Sequence, residues 1–344
     1  MVLSRWIGTT VLRFRAVRER VGEDRLRILG EIALAAWFAG QSYTRIASFI
    51  QLNVPLGLDI QIYYRGVQEW LHGHDPWAAT VIVNSHIVFN YAGSPATTLL
   101  LTPSALLSES QFTALCLGLT ALSAVAIVRW LRLPIWWLLF PPTTEALYSG
   151  NPQLVVLMLL LAGAGRMGLL ADSIAVVLKV YAVVPLFGER QLRRVGLALV
   201  LTAATFVLAP SLWIQYATEF SAISARLAQQ SNNGWSAFYF PMLLVPTAIA
   251  LILLWYRDPT AVAWLAVPAL WPASEFHYST FALPVMTPLL AVPLAVPIQW
   301  LPPVAIIVYV IWRFVSPPVH AHLTAWAAEA GYSARCTSKA CDGS

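Results

Sequence analysis

Apolar residues run in blocks from about residue 28 to about residue 315, with polar residues gathered in short interruptions between them. Crossing the hydrocarbon core of a bilayer as a helix takes about 20 apolar residues, and a helix satisfies its own backbone hydrogen bonds there. Ile28 to Leu52 predicts a first span, and Gln111 to Val128 predicts another. Ile135 to Tyr148 and Leu154 to Ala164 flank Ser149-Gly150-Asn151-Pro152-Gln153, whose glycine and proline predict a break. Further blocks follow at Leu169 to Phe187, Leu192 to Leu212, Ala237 to Leu254, Val262 to Pro272, Phe281 to Val296 and Val304 to Val315. Ser94 to Leu107 is short and holds Pro95 and Pro103, so it reads as a short span or a re-entrant piece. The pattern predicts an all-α polytopic transmembrane bundle of about nine to eleven membrane segments, with short interfacial helices in its outer loops.

The polar interruptions divide this bundle. Residues 53–94 predict a first outer loop, in which Asp59 to Leu71 forms a short helix at the membrane surface and Tyr63, Tyr64, Trp70 and Trp77 join the aromatic belt. Gly73 and Asp75-Pro76 end that helix. Residues 213–235 predict a second outer loop with Glu219, Arg226 and Ser231-Asn-Asn-Gly234, and Ser274 to Tyr278 falls on the same side. Arg45, late in the first span, reads as snorkelling to the outer interface. Leu169 to Phe187 has arginines at both ends, which fits either a broken pair of half-helices turning near Lys179 or one span that violates the positive-inside rule.

Composition agrees with a membrane protein. Hydrophobic residues make up 58% and charged residues 11% of the chain, against about 25% charged in a soluble domain. The net charge of +5 does not point to nucleic acid, because seven arginines from Arg5 to Arg27 cluster ahead of the first span. They predict a basic cytoplasmic segment over residues 1–27 that faces lipid and is not a removable signal peptide. Residues 28–316 then form the membrane domain and 317–344 a polar tail. The expected location is the plasma membrane, multi-pass, with a cytoplasmic N-terminus and the chemistry on the outer face. Cys116, Cys336 and Cys341 match no metal or disulfide spacing.

The order of landmarks along the chain resembles a known family. Asp59-x-x-x-Tyr63-Tyr64 follows the first span, then come Gly73-x-Asp75-Pro76-Trp77, Tyr91, Pro141-Pro142 ahead of Gly150-x-x-Gln153, Lys179 before Pro185, and His277-Tyr278 before Pro284. Over about residues 28–300 this is similar to the GT-C polytopic glycosyltransferases of glycosyltransferase family 87, the polyprenyl-phosphate-mannose-dependent α-mannosyltransferases. The chain departs from them at Gly150-Asn-Pro-Gln153, where a contiguous Gly-Gln is usual, and at Trp77, where Tyr is common. The resemblance implies inverting transfer of a hexose, expected to be mannose, from a polyprenyl-phosphate donor to a lipid-linked or envelope glycan. It implies no cofactor or metal and no nucleic-acid partner.

In that chemistry an aspartate of the first outer loop is the base, and Asp59 matches. A carboxylate suits a base near neutral pH, while its place at the start of a helix also suits an N-cap. Asp75 reads as a turn residue before proline and is the second candidate carboxylate. Positive groups would meet the leaving phosphate: Lys179, an intramembrane charge for which function is the default reading and snorkelling to an interface the alternative, His277, and Arg65, which equally suits lipid headgroups. Tyr63, Tyr64, His74, Gln153 and Tyr278 complete the candidate substrate-binding set. His72 and His74 have no third ligand at metal spacing. The rival readings are a transporter or lipid flippase, which needs broken helices meeting at the midplane, and a non-catalytic scaffold.

Overall fold

The computed structural model describes residues 23–84, 87–163, 168–229, 234–272 and 274–315. The fold is mostly helical, as the apolar blocks predict. Among the described residues, Glu109–Trp130 alone is a single helix long and apolar enough to cross a membrane. Two bent pairs pass the same test together: Pro141–Ser149 with Gln153–Ala162, bent by 113°, and Leu192–Leu208 with Pro210–Leu227, bent by 104°. Helices of 10–17 residues, Gly168–Leu178, Pro241–Trp255, Pro259–Leu270 and Leu301–Phe314, are apolar but shorter. Glu23–Gln51, 29 residues long, contains the predicted first span, but Glu31, Gln41 and Arg45 interrupt its apolar character.

Helix boundaries follow local chemistry. Ser108 and Gln111 form a reciprocal capping box at the start of Glu109–Trp130. Ser94 caps Pro95–Leu101, with proline at the first helical position. The predicted break at Ser149 to Gln153 is present, because Gly150 takes a left-handed conformation (φ 69°) and ends one helix before the next begins.

Residues 53–94, the predicted first outer loop, hold more than the predicted helix. Leu58–Leu71 is followed by an antiparallel hairpin, Thr80–Val83 with Ile87–Asn90, in which Val81 pairs with Phe89. Val81 and Val83 are buried and Ile82 is exposed, the alternation of a half-buried strand. Most of the second predicted loop is a helix, Pro210–Gln229, which closes over the first loop through Tyr216, 5.2 Å from Trp77. Trp77 is fully buried and donates its indole N–H to the Gly93 carbonyl at 3.0 Å. Asn232, Asn233, His86, Cys336 and Cys341 lie outside the described residues.

Two apolar clusters result. The larger runs from Phe38 of the Glu23–Gln51 helix through the helices between Ala124 and Val310. The smaller gathers Phe49, Leu58, Trp77, Val83, Tyr91 and Ile223 beneath the first loop.

Candidate functional site

Two glycines bring the first loop onto the broken helix. Gly57 precedes Leu58–Leu71 with φ 76°, and its N–H donates to the Tyr148 carbonyl at 2.8 Å. A Cβ on Gly150 would lie 2.2 Å from Cδ1 of Ile60 and 3.3 Å from Cα of Gly57, so a side chain there would push the two segments apart. That close approach delivers Asn151 to Asp59, and the Nδ2 amide donates to Oδ2 of Asp59 at 2.8 Å. Asp59 stands in the first helical turn, but Gly57 occupies the cap position and no side chain caps the helix. The cap reading of Asp59 therefore does not hold.

Lys179 arrives by a different break. Gly168–Leu178 ends, Lys179 is extended (φ −147°, ψ 109°), and a short 3-10 turn Val180–Ala182 leads into the helix Val183–Gly188. The Thr97 hydroxyl donates toward the carbonyls of Val177 at 2.9 Å and Leu178 at 3.2 Å, satisfying groups that the break releases from the helix. The chain thus breaks at Lys179, within Leu169 to Phe187. The Lys179 ammonium lies 5.3 Å from the centre of the Tyr63 ring, within cation–π range.

Asp59, Tyr63 and Lys179 share a cavity of about 210 Å³ with Arg45, Glu145, Glu275 and His277. Arg45 does not snorkel: its Nε–H donates to Oε2 of Glu145 at 2.5 Å, and its guanidinium lies over the rings of Phe49 and Phe276, at 4.6 and 5.8 Å. His277 is the second residue of the 3-10 segment Phe276–Val285 and is buried. Its Nδ1 is 3.5 Å from carboxylate oxygens of both Glu145 and Glu275, too long for a hydrogen bond. Neither ring nitrogen has a hydrogen-bond partner among the described residues. Burial pushes the Glu275 carboxyl up to about 7, with His277 and Lys179 pulling it down and Asp59 and Glu145 pushing it up. Burial works against a charged His277, but the two carboxylates outweigh it and hold the imidazole above the usual histidine value. Three basic side chains and three carboxyl groups thus meet in one partly apolar chamber.

The remaining sequence candidates stand apart from the cavity lining. Gln153 and Tyr278 are just behind it: Gln153 accepts from the Tyr181 hydroxyl, and Tyr278 packs on the Tyr181 ring at 4.7 Å. Tyr64 donates to the Leu107 carbonyl at 2.9 Å. Arg65 bonds Glu109 and the Thr80 carbonyl, each at 3.3 Å. His74 pairs with Glu69 at 2.9 Å on the surface. Asp75 caps the turn Pro76–Ala78 by accepting from the Trp77 N–H at 2.9 Å; burial raises its pKa, with Glu219 adding to that and the Trp77 bond opposing it. Among the described residues, no three His, Cys, Asp or Glu side chains gather as metal ligands.

Sequence reasoning missed Glu145, Asn151, Glu275 and the role of Arg45. Glu145 and Arg45 carried the signal that singled out Lys179, a charge inside an apolar block. Comparison of the chain with protein-family models, with curated proteins and with solved structures finds no match.

Proposed function

We propose that the protein is a polytopic GT-C membrane glycosyltransferase that moves a hexose, mannose as the first choice, from a polyprenyl-phosphate donor to a lipid-linked or envelope glycan. The observation that carries the reading is the meeting of Asp59 with Lys179, His277 and Arg45 in one cavity behind the first outer loop. A displacement of this kind needs a base on one face of the anomeric carbon, at the attacking hydroxyl, and positive charge on the opposite face, at the leaving phosphate. The acceptor oxygen forms a bond to the anomeric carbon, and its proton passes to Asp59. The bond from that carbon to the phosphate oxygen breaks, and its electron pair stays on the phosphate. Lys179, His277 and Arg45 face the charge that grows there. Tyr63 offers a ring for the sugar to stack on, the usual amphipathic role of tyrosine. The donor itself is the co-substrate, and the reaction as written draws on no cofactor. In this reading the shorter apolar helices and bent pairs complete a multi-pass plasma-membrane bundle of about nine to eleven segments, its N-terminus cytoplasmic and its cavity on the outer face.

The test is transfer of radiolabelled mannose from polyprenyl-phosphate-mannose to membrane lipids, comparing wild type with Asp59→Asn at matched expression. Transfer by wild type and its loss in the variant is the expected result, and persistence in the variant moves the base elsewhere. A transporter is the second reading, favoured by one observation: the chain breaks at Asn151 and at Lys179 both open on the same cavity. No transfer with any lipid-linked sugar, together with uptake or flipping in proteoliposomes, would replace the first reading by the second.

A further inference from the structure

The orientation of the Asn151 side chain is fixed by the backbone next to it. Its Oδ1 accepts the N–H of Gln153 at 3.0 Å, and a backbone N–H only donates. The amide therefore cannot flip, and Nδ2 must face Asp59, where it donates at 2.8 Å. Asn151 is itself buried, and its own N–H donates to the Ala146 carbonyl at 3.1 Å. Its reach toward Asp59 depends on the left-handed Gly150 before it.

We infer that Asn151 is the positioning residue of the base: it occupies Oδ2 of Asp59 and so presents Oδ1 to the acceptor hydroxyl. The inference rests on the reading of Asp59 as the base. Asn151 belongs to the stretch in which this chain departs from the pattern it otherwise resembles. A base turned away from its hydroxyl loses rate without losing substrate affinity, so the cost falls on kcat.

The diagnostic variant is Asn151→Asp. It keeps the size and the acceptor for Gln153 N–H, but turns a second carboxylate, instead of a donor, toward Asp59. Two facing carboxylates repel when both are ionised, and the pair takes up one shared proton at a higher pH than a lone carboxylate would. At neutral pH kcat falls by about 10- to 100-fold, while KM for the lipid-linked donor stays within about twofold. Transfer recovers in part as the pH is lowered, because the pair then holds one proton, and where it sits on the introduced carboxyl the donor to Asp59 is restored. Asn151→Ala loses kcat without that recovery. Arg45, Glu145, Lys179, Glu275 and His277 also face Asp59 across the cavity, and their titration is common to all three proteins. An Asn151→Asp enzyme with wild-type kcat and pH profile would overturn the inference.

A second measurement does not need turnover. Dicyclohexylcarbodiimide modifies protonated carboxyls in apolar surroundings, and peptide mapping by mass spectrometry separates Asp59 from Glu145 and Glu275. Asn151→Asp is expected to extend labelling of Asp59 to higher pH. Unchanged labelling in a folded protein refutes the contact itself. Changed labelling without any sugar transfer keeps the contact and refutes the glycosyltransferase reading.

Discussion

Arg45 and Glu145 lie 100 residues apart in sequence, yet Nε of the one is 2.5 Å from Oε2 of the other, with the carboxylate 1% exposed. The pair ties the Glu23–Gln51 helix to the helix Pro141–Ser149, and Glu145 is also the carboxylate beside His277. Burying one charge without its partner is costly, about 3–5 kcal/mol when one side is removed. Arg45→Ala and Glu145→Ala are each expected to lower stability by that order. The double variant should fall short of the sum by about 1–3 kcal/mol, because the second removal leaves no orphaned charge. Unfolding in detergent micelles measures the cycle, and strict additivity would show that the pair is not coupled.

The cluster at Glu275 and His277 makes stability depend on pH in one direction. Glu275 titrates near 4.5 when unfolded and near 7 in the folded protein, so the folded state holds more protons between those values. His277 is also raised, by its two carboxylate neighbours against the effect of burial. A raised group stabilises below its unfolded pKa, and that contribution is lost as the pH rises through the folded one. The protein is therefore expected to unfold at a lower temperature at pH 8 than at pH 5.5. Glu275→Gln should flatten the part of this dependence between pH 4.5 and 7, read from melting curves across that range.

Much of the fold was legible because apolar blocks, prolines and glycines act locally. The break at Gly150 and the helix Leu58–Leu71 follow from residues a few positions away. The hairpin Thr80–Asn90 was written in the alternation of Val81, Ile82 and Val83, but three residues of alternation inside a polar loop are a weak signal beside the aromatic belt. At the site, Asp59, Tyr63, Lys179 and His277 line one cavity, whereas Tyr64, Arg65, His74 and Asp75 spend their polar groups on loop contacts. The sequence does not link Arg45 to Glu145, because neither has an opposite charge nearby along the chain. Only the packing of two helices makes a snorkelling arginine into half of a buried pair.

Gly150 gives a test of how the site is assembled. An alanine there meets two obstacles, a left-handed φ of 69° and a Cβ placed 2.2 Å from Ile60 Cδ1. The backbone conformation alone costs about 1–2 kcal/mol for a residue with a Cβ, and the Ile60 side chain has to turn as well. Gly150→Ala is expected to lower stability by at least that amount and to reduce transfer further than its loss of folded protein explains, since Asn151 moves with it. Pairing it with Ile60→Val, which shortens the obstructing side chain by one methyl, should recover part of the transfer. Calorimetry and transfer assays on the same preparations decide this. Full activity in the folded Gly150→Ala protein would separate Asn151 from catalysis.

The sharpest contrast lies between Lys179 and the polar residues of the first loop that stay outside the cavity. Arg65 and Glu109 form a bridge at 3.3 Å with both side chains more than a third exposed, and His74 bonds Glu69 while 68% exposed. Exposed pairs of this kind contribute about 0–1 kcal/mol, so Arg65→Ala and His74→Ala are expected to leave both stability and transfer near wild type. Lys179 sits in a chain break beneath Tyr63 and faces the cavity. Lys179→Met keeps the length of the side chain and removes its charge, so transfer is expected to fall by about 100-fold or more, the loss seen when one stabilising group at a developing anion is removed. Lys179→Arg restores the charge with a planar fork in place of a compact ammonium and should recover only part of the rate. A scaffold predicts that none of the four substitutions changes any activity, and a transporter predicts loss of flux with Lys179→Met in the absence of sugar transfer. One panel of four variants, assayed for both transfer and flux, therefore separates the three readings.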